Sequence, residues 1–186
     1  MNETLKTIFE RSSIRAYTDE PLTENELETL AKCAIASPTA RNIQTRRFYF
    51  ITNKELILEI ERETANEIYA MNDELATERL KSRNGKVIYD APLLVVIAVD
   101  KSNKYSAVDA GIATATLCLG AKSMRLDSVI LGMPRLAFEG VRHDYFKNRL
   151  GMPAELEFEI AVAIGHKAME KEPHEGDLNH VVVVDA

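Results

Sequence analysis

The sequence predicts an α+β fold in which helices cover one sheet. Three observations carry this. Strand-like stretches rich in β-branched and aromatic residues ("RFYFIT", "DSVILG", "LEFEIAVAIG") alternate with segments of helical spacing. "APLLVVIAVD" is a continuous apolar run, as a strand covered on both faces requires. The chain has 186 residues and shows no repeat, low-complexity stretch or linker, so residues 1–186 read as one domain with room for a sizeable core.

The elements follow in order. Leu5, Ile8 and Phe9 give a short helical stripe, which breaks at "RSSIRAY". If that piece is extended, Arg11, Ser13 and Arg15 share one side, and Ser12 and Ile14 the other. In "LTENELETLAKCAIASP", Thr23 and Glu26 form a capping box, and Pro38 ends the helix. A polar loop, "SPTARNIQTR", leads into "RFYFIT". Asn53 caps a charged helix over roughly residues 54–81, whose incomplete apolar stripe leaves it partly exposed or broken. "NKYSAVDAGIATATLCLGAKSMRL" is a helix of small residues. Two internal glycines, each costing about 1 kcal/mol against alanine, point to close packing of another helix or a flat ligand. "EGVRHDYFKNRLGMP" is a helix stopped at Gly151. "NHVVVVD" reads as a last strand after a polar stretch, able to reach a distant edge of its own sheet or a partner's.

Composition excludes several functions. The net charge of −6 and the lack of a basic run argue against nucleic-acid and anionic-membrane partners. The apolar run Ala91–Val99 is far short of the ~20 residues a membrane helix needs. "MNETLKTIFE" has no signal-peptide pattern, so the expected location is cytoplasmic. Cys33 and Cys118 sit among apolar residues and read as reduced core thiols, and the four histidines have no metal-ligand spacing. No nicotinamide fingerprint, phosphate loop, nucleophile elbow or kinase signature is present. An enzyme of this sequence would rely on a bound cofactor.

Four pieces are candidate site elements. Arg11, Ser12, Ser13 and Arg15 offer guanidinium forks and hydroxyls suited to a phosphate, although a solvated turn has the same composition. In Pro38, Thr39, Ala40, Asn42 and Gln44, the two amides share a side if the loop is extended, and match a heterocycle edge; a plain polar turn also fits. Leu131, Gly132 and Met133 follow a strand, where glycine admits close approach of a flat ligand or simply turns the chain. Lys167 adds phosphate charge or is solvated.

The order and spacing of these pieces resemble the nitroreductase family of FMN-dependent oxidoreductases. The family opens with an Arg-x-Ser-x-Arg segment and an aromatic residue, matched by Arg11, Ser13, Arg15 and Tyr17. Its Pro-Ser-x-x-Asn-x-Gln loop is matched by Pro38, Thr39, Asn42 and Gln44. The small-residue helix and "EFEIAVAIGHK" extend the match nearly end to end. The resemblance implies a mainly antiparallel sheet covered by helices, and a homodimer with an FMN site at each side of the interface. It implies that Arg11, Ser12, Ser13 and Arg15 hold FMN from one chain, and that the loop Pro38–Gln44 closes over it from the other. Leu131–Met133 would line the ring, and a C-terminal arm would embrace the partner subunit. NADH or NADPH would be the donor, and a nitroaromatic or quinone the acceptor. The chain departs from the family pattern at Ser12, at Thr45 and after Gly165, where "HKAMEKEPHEG" replaces a basic cluster. Two other readings stay open: a same-fold flavin dehydrogenase or dehalogenase, and a non-catalytic flavin-binding or scaffold dimer.

Overall fold

The computed structural model describes residues 1–184. Its elements are α1 (Glu3–Glu10), α2 (Glu24–Ala36), β1 (Arg47–Ile51), α3 (Lys54–Ala70), α4 (Glu74–Lys81), β2 (Leu93–Val99), α5 (Ser106–Ser123), β3 (Asp127–Leu131), α6 (Arg135–Glu139), α7 (His143–Arg149) and β4 (Glu157–Gly165). The four strands form one sheet in the order β1-β2-β4-β3, and every neighbouring pair is antiparallel.

Every residue of β2 is buried. Alternation splits it between two cores: Leu94, Val96 and Ala98 face the layer containing α3, α6 and α7, while Leu93, Val95, Ile97 and Val99 face α2 and α5. The continuous apolar run is thus the central strand of three layers.

The local signals act as their chemistry requires. Thr23 Oγ1 accepts from the Glu26 N–H at 3.3 Å, and Glu26 Oε2 accepts from the Thr23 N–H at 2.7 Å, closing the capping box of α2. Asn53 caps α3 through the Leu56 N–H at 2.9 Å. Gly151 stands past α7 with φ 58°, the left-handed stop that glycine favours. The charged helix expected over 54–81 is two helices, because Asn72 turns left-handed and Asp73 caps a new start. The helix expected over "EGVRHDYFKNRLGMP" is α7, and a short helix not expected from the sequence, α6, precedes it and ends at Gly140.

One expectation is corrected. Val181–Val184 form no strand in this chain and stand 64–84% exposed. The expected strand "NHVVVVD" also includes Asp185, which lies outside the described residues. A strand needs an edge to pair with, and within its own chain this segment meets none. No helix among the described residues is long and apolar enough to cross a membrane.

Candidate functional site

The chain from Arg11 to Thr18 runs along the outer edge of β3 and then past the end of the sheet. Ser13 bridges Ser128 in parallel, the Ile14 N–H donates to the Ser128 carbonyl at 3.1 Å, and the Thr18 N–H donates to the His166 carbonyl at 2.9 Å. The buried Tyr17 hydroxyl donates to the Ile14 carbonyl at 2.9 Å, and burial pushes its pKa up. Tyr17 is therefore the anchor that holds the extended segment in place.

This geometry sorts the segment as its alternation demands. Ser12 and Ile14 are buried, while Arg11, Ser13 and Arg15 lie on the accessible side. Neither Arg11 nor Arg15 forms an ion pair within the described residues. Ser12, named with them from the sequence, points inward at 5% exposure. Lys167 is carried to the same place by its bridge to Tyr17, and the Ala168 N–H donates to the Ala16 carbonyl at 2.9 Å. Its ammonium already holds Glu170 at 2.6 Å, which raises its pKa.

Leu131, Gly132 and Met133 end the same strand, β3. Leu131 is buried in the core, Met133 packs against that core, and a Cβ placed on Gly132 would meet nothing within 4 Å. Of the three, Gly132 is where backbone lies open to a flat ligand.

The loop Pro38–Gln44 differs from the extended form that pairing of its amides assumed. Ala40–Asn42 is a turn of 3-10 helix, and Arg41, Asn42 and Gln44 all have left-handed φ (56°, 54° and 55°). The amides still meet: Gln44 Nε2 donates to Asn42 Oδ1 at 2.6 Å, on an exposed surface. Three non-glycine residues in this conformation are backbone strain concentrated in one loop.

What holds that strain was not identified from the sequence. Asp109, buried in the first turn of α5, accepts from the Ala40 N–H at 2.9 Å. Arg46 donates to the carbonyls of Pro38 and Asp109, each at 3.0 Å, and to the carbonyl and hydroxyl of Ser37. A lone acid at the start of an otherwise small and apolar helix was the available signal.

The two halves lie apart. Arg11–Arg15, Lys167 and Leu131–Met133 flank β3, whereas Pro38–Gln44 leads into β1, and β1 and β3 are opposite edges of the sheet. One chain does not bring them together. An FMN needs cations for its phosphate, an open backbone against its ring and amides for its pyrimidine edge. The residues present fit it: two accessible guanidiniums without ion pairs, the open Gly132, and the outward amides of Asn42 and Gln44.

This sheet and its covering helices are those of a known family. The nitroreductase family model matches residues 8–166, and the chain belongs to that family. It is 35% identical to a nitroreductase of Desulfitobacterium hafniense DCB-2 whose crystal structure contains bound FMN, with a TM-score of 0.96 and 100% of both chains covered. It is also 27% identical over 183 residues to an Archaeoglobus fulgidus protein provisionally named NADH dehydrogenase/NAD(P)H nitroreductase, covering 95% of this chain and 92% of that one. A Vibrio harveyi NADPH-flavin oxidoreductase is 26% identical over 191 residues, covering 98% of this chain and 73% of the relative.

Proposed function

We propose that the chain is an FMN-dependent NAD(P)H oxidoreductase acting as a homodimer, its whole length forming one nitroreductase-like domain. The observation that carries this is the pair of accessible guanidiniums, Arg11 and Arg15, along the edge of β3, the strand that leads into the open Gly132, in a chain 35% identical to a nitroreductase solved with FMN. When bound, FMN supplies the hydride transfer that links a nicotinamide donor to an electron-poor acceptor of nitroaromatic or quinone type.

The chain supplies placement and charge. Arg11 and Arg15 meet the phosphate with charge-assisted hydrogen bonds, and Ser13 adds a hydroxyl. Gly132 leaves room for a flat ring against the backbone. Asn42 and Gln44, fixed by Arg46 and Asp109, offer amide donors and acceptors from the second chain. Lys167 stands beside the arginine segment as a further cation, shared with Glu170.

The dimer is supported by what each chain leaves open. The outer face of α5 carries Val108 at 59% and Ile112 at 37% exposure, and a Cβ on Gly111 between them would meet nothing within 4 Å. A helix apolar all round is a helix buried on all sides. The exposed Val181–Val184 likewise suit a sheet edge of another chain as the end of a C-terminal arm.

The test is the visible spectrum of protein purified without added flavin, followed by anaerobic NADPH or NADH. A blue-region flavin band that bleaches is the expected result. A colourless protein that also refuses added FMN would overturn the reading.

A further inference from the structure

A cavity of about 360 Å³ opens between the chain entering α2, the end of β1, the first turns of α3 and the turn before β2. None of the proposed FMN residues lines it. Its walls are mostly apolar, with Leu22, Leu27, Ile57, Leu58 and Pro92 among them.

Three carboxylates reach this cavity, and two have cations. Asp19 faces Lys54 at 3.6 Å, and Asp90 pairs with Lys86. The third, Glu61, is only 7% exposed and has no ion pair among the described residues. Its Oε1 accepts the backbone N–H groups of Val87 and Ile88, each at 2.6 Å. Its Oε2 accepts no hydrogen bond from the described residues, nor is it sealed away as an orphaned buried atom. Glu61 thus lines the cavity with one carboxylate oxygen that has no donor among the described residues; its charge reaches Lys86, which is hydrogen-bonded to Asp90, and a donor-bearing ligand would complete it.

The chemistry of that partner is constrained. A guanidinium needs both carboxylate oxygens for its fork, and Oε1 is already taken. A hard cation needs several oxygen ligands, and two of the three carboxylates here already hold lysines. A water satisfies the oxygen but not the apolar walls. A primary ammonium brings three N–H donors for Glu61 Oε2 and the other oxygens lining the cavity, and an apolar body for its walls. The volume lies near the small end of the roughly 300–1,000 Å³ usual for ligand sites.

We propose that this cavity is a second ligand site, separate from the flavin site, that takes a small primary amine with an aryl or alkyl body, its ammonium on Glu61 Oε2. The ligand bridges the entry to α2, the start of α3 and the turn before β2.

Phenethylamine titrated calorimetrically into the full-length, FMN-saturated protein tests this. The expected result is saturable binding of one amine per chain with the flavin spectrum unchanged. Affinity should fall at least tenfold in Glu61→Gln, whose amide oxygen still accepts from Val87 and Ile88. The uncharged 2-phenylethanol should bind wild type at least tenfold more weakly. Leu58→Trp, which fills the chamber from a partly exposed position without touching those N–H bonds, should abolish binding, and it decides the matter if Glu61→Gln does not fold. Absence of saturable binding would overturn the proposal. So would binding that survives Leu58→Trp, or binding that perturbs the flavin spectrum.

Discussion

Arg11 and Arg15 occupy accessible positions on one side of an extended segment, and Tyr17 fixes that segment from its buried side. Replacing either arginine by alanine removes a charged hydrogen bond worth ~1.5–3 kcal/mol. A flavin titration should then show affinity reduced tenfold or more, with the fold intact; unchanged affinity in both variants would remove the phosphate clamp from the account. Arg46 acts on the Pro38–Gln44 loop. Its fork satisfies oxygens of Ser37, Pro38 and Asp109 at once. Arg46→Lys cannot reproduce that geometry. A loss of ~1–3 kcal/mol in denaturant unfolding is expected, with weaker FMN binding through the loosened loop. The accessible side shared by Arg11, Ser13 and Arg15 was legible in the sequence because strand alternation is a local rule. The shape of Pro38–Gln44 was not: Thr39 Oγ1 accepts from the Gln44 N–H inside the loop, but the anchors outside it are Asp109, more than sixty positions away, on the Ala40 N–H, and the Arg46 guanidinium on oxygens of Ser37 and Pro38.

Among the elements, α2 shows most clearly how a short motif acts. Burial alone would raise the Glu26 pKa, but the Thr23 N–H and hydroxyl more than offset it and hold the carboxyl below its ordinary value of 4.5. A carboxylate depressed on folding contributes stability above its unfolded pKa, and loses it as pH falls through the folded value. The stability difference between wild type and Thr23→Ala should therefore be full at neutral pH and shrink below about pH 4.5. A constant difference down to pH 2 would contradict this. Where α2 meets α5, a Cβ on Gly120 would sit 2.7 Å from the Cys33 sulfur and 3.2 Å from its Cβ. Gly120→Val should destabilise by ~1–3 kcal/mol through overpacking, and Cys33→Ala should recover part of that in thermal unfolding. The two helical glycines drew the same expectation from the sequence and serve different ends. Gly120 is the close helix contact, whereas Gly111 faces outward. Helical spacing identified the small-residue helix but not which of its faces the chain itself covers. The missing tail strand has the same cause, because β-propensity in "HVVVV" names a strand but not the chain that pairs with it.

An FMN site drawing on both edges of the sheet requires two chains. The arginine segment and the amide loop stand at opposite edges of one sheet, and the apolar outer face of α5 is left uncovered by its own chain. Ile112→Glu on that face should shift the protein to monomer in sedimentation and lower flavin occupancy with it. A dimer unaffected by this change would place the interface elsewhere. Complementation shows whether each FMN is held between two chains. Co-expressing Arg11→Ala/Arg15→Ala chains with Asn42→Ala/Gln44→Ala chains makes hybrid dimers in which both lesions fall in one site and spare the other. Random pairing makes half the dimers hybrid, so flavin titration should find about a quarter of all sites restored to wild-type affinity. A mixture that binds as no more than the average of its two parents would contradict the shared site.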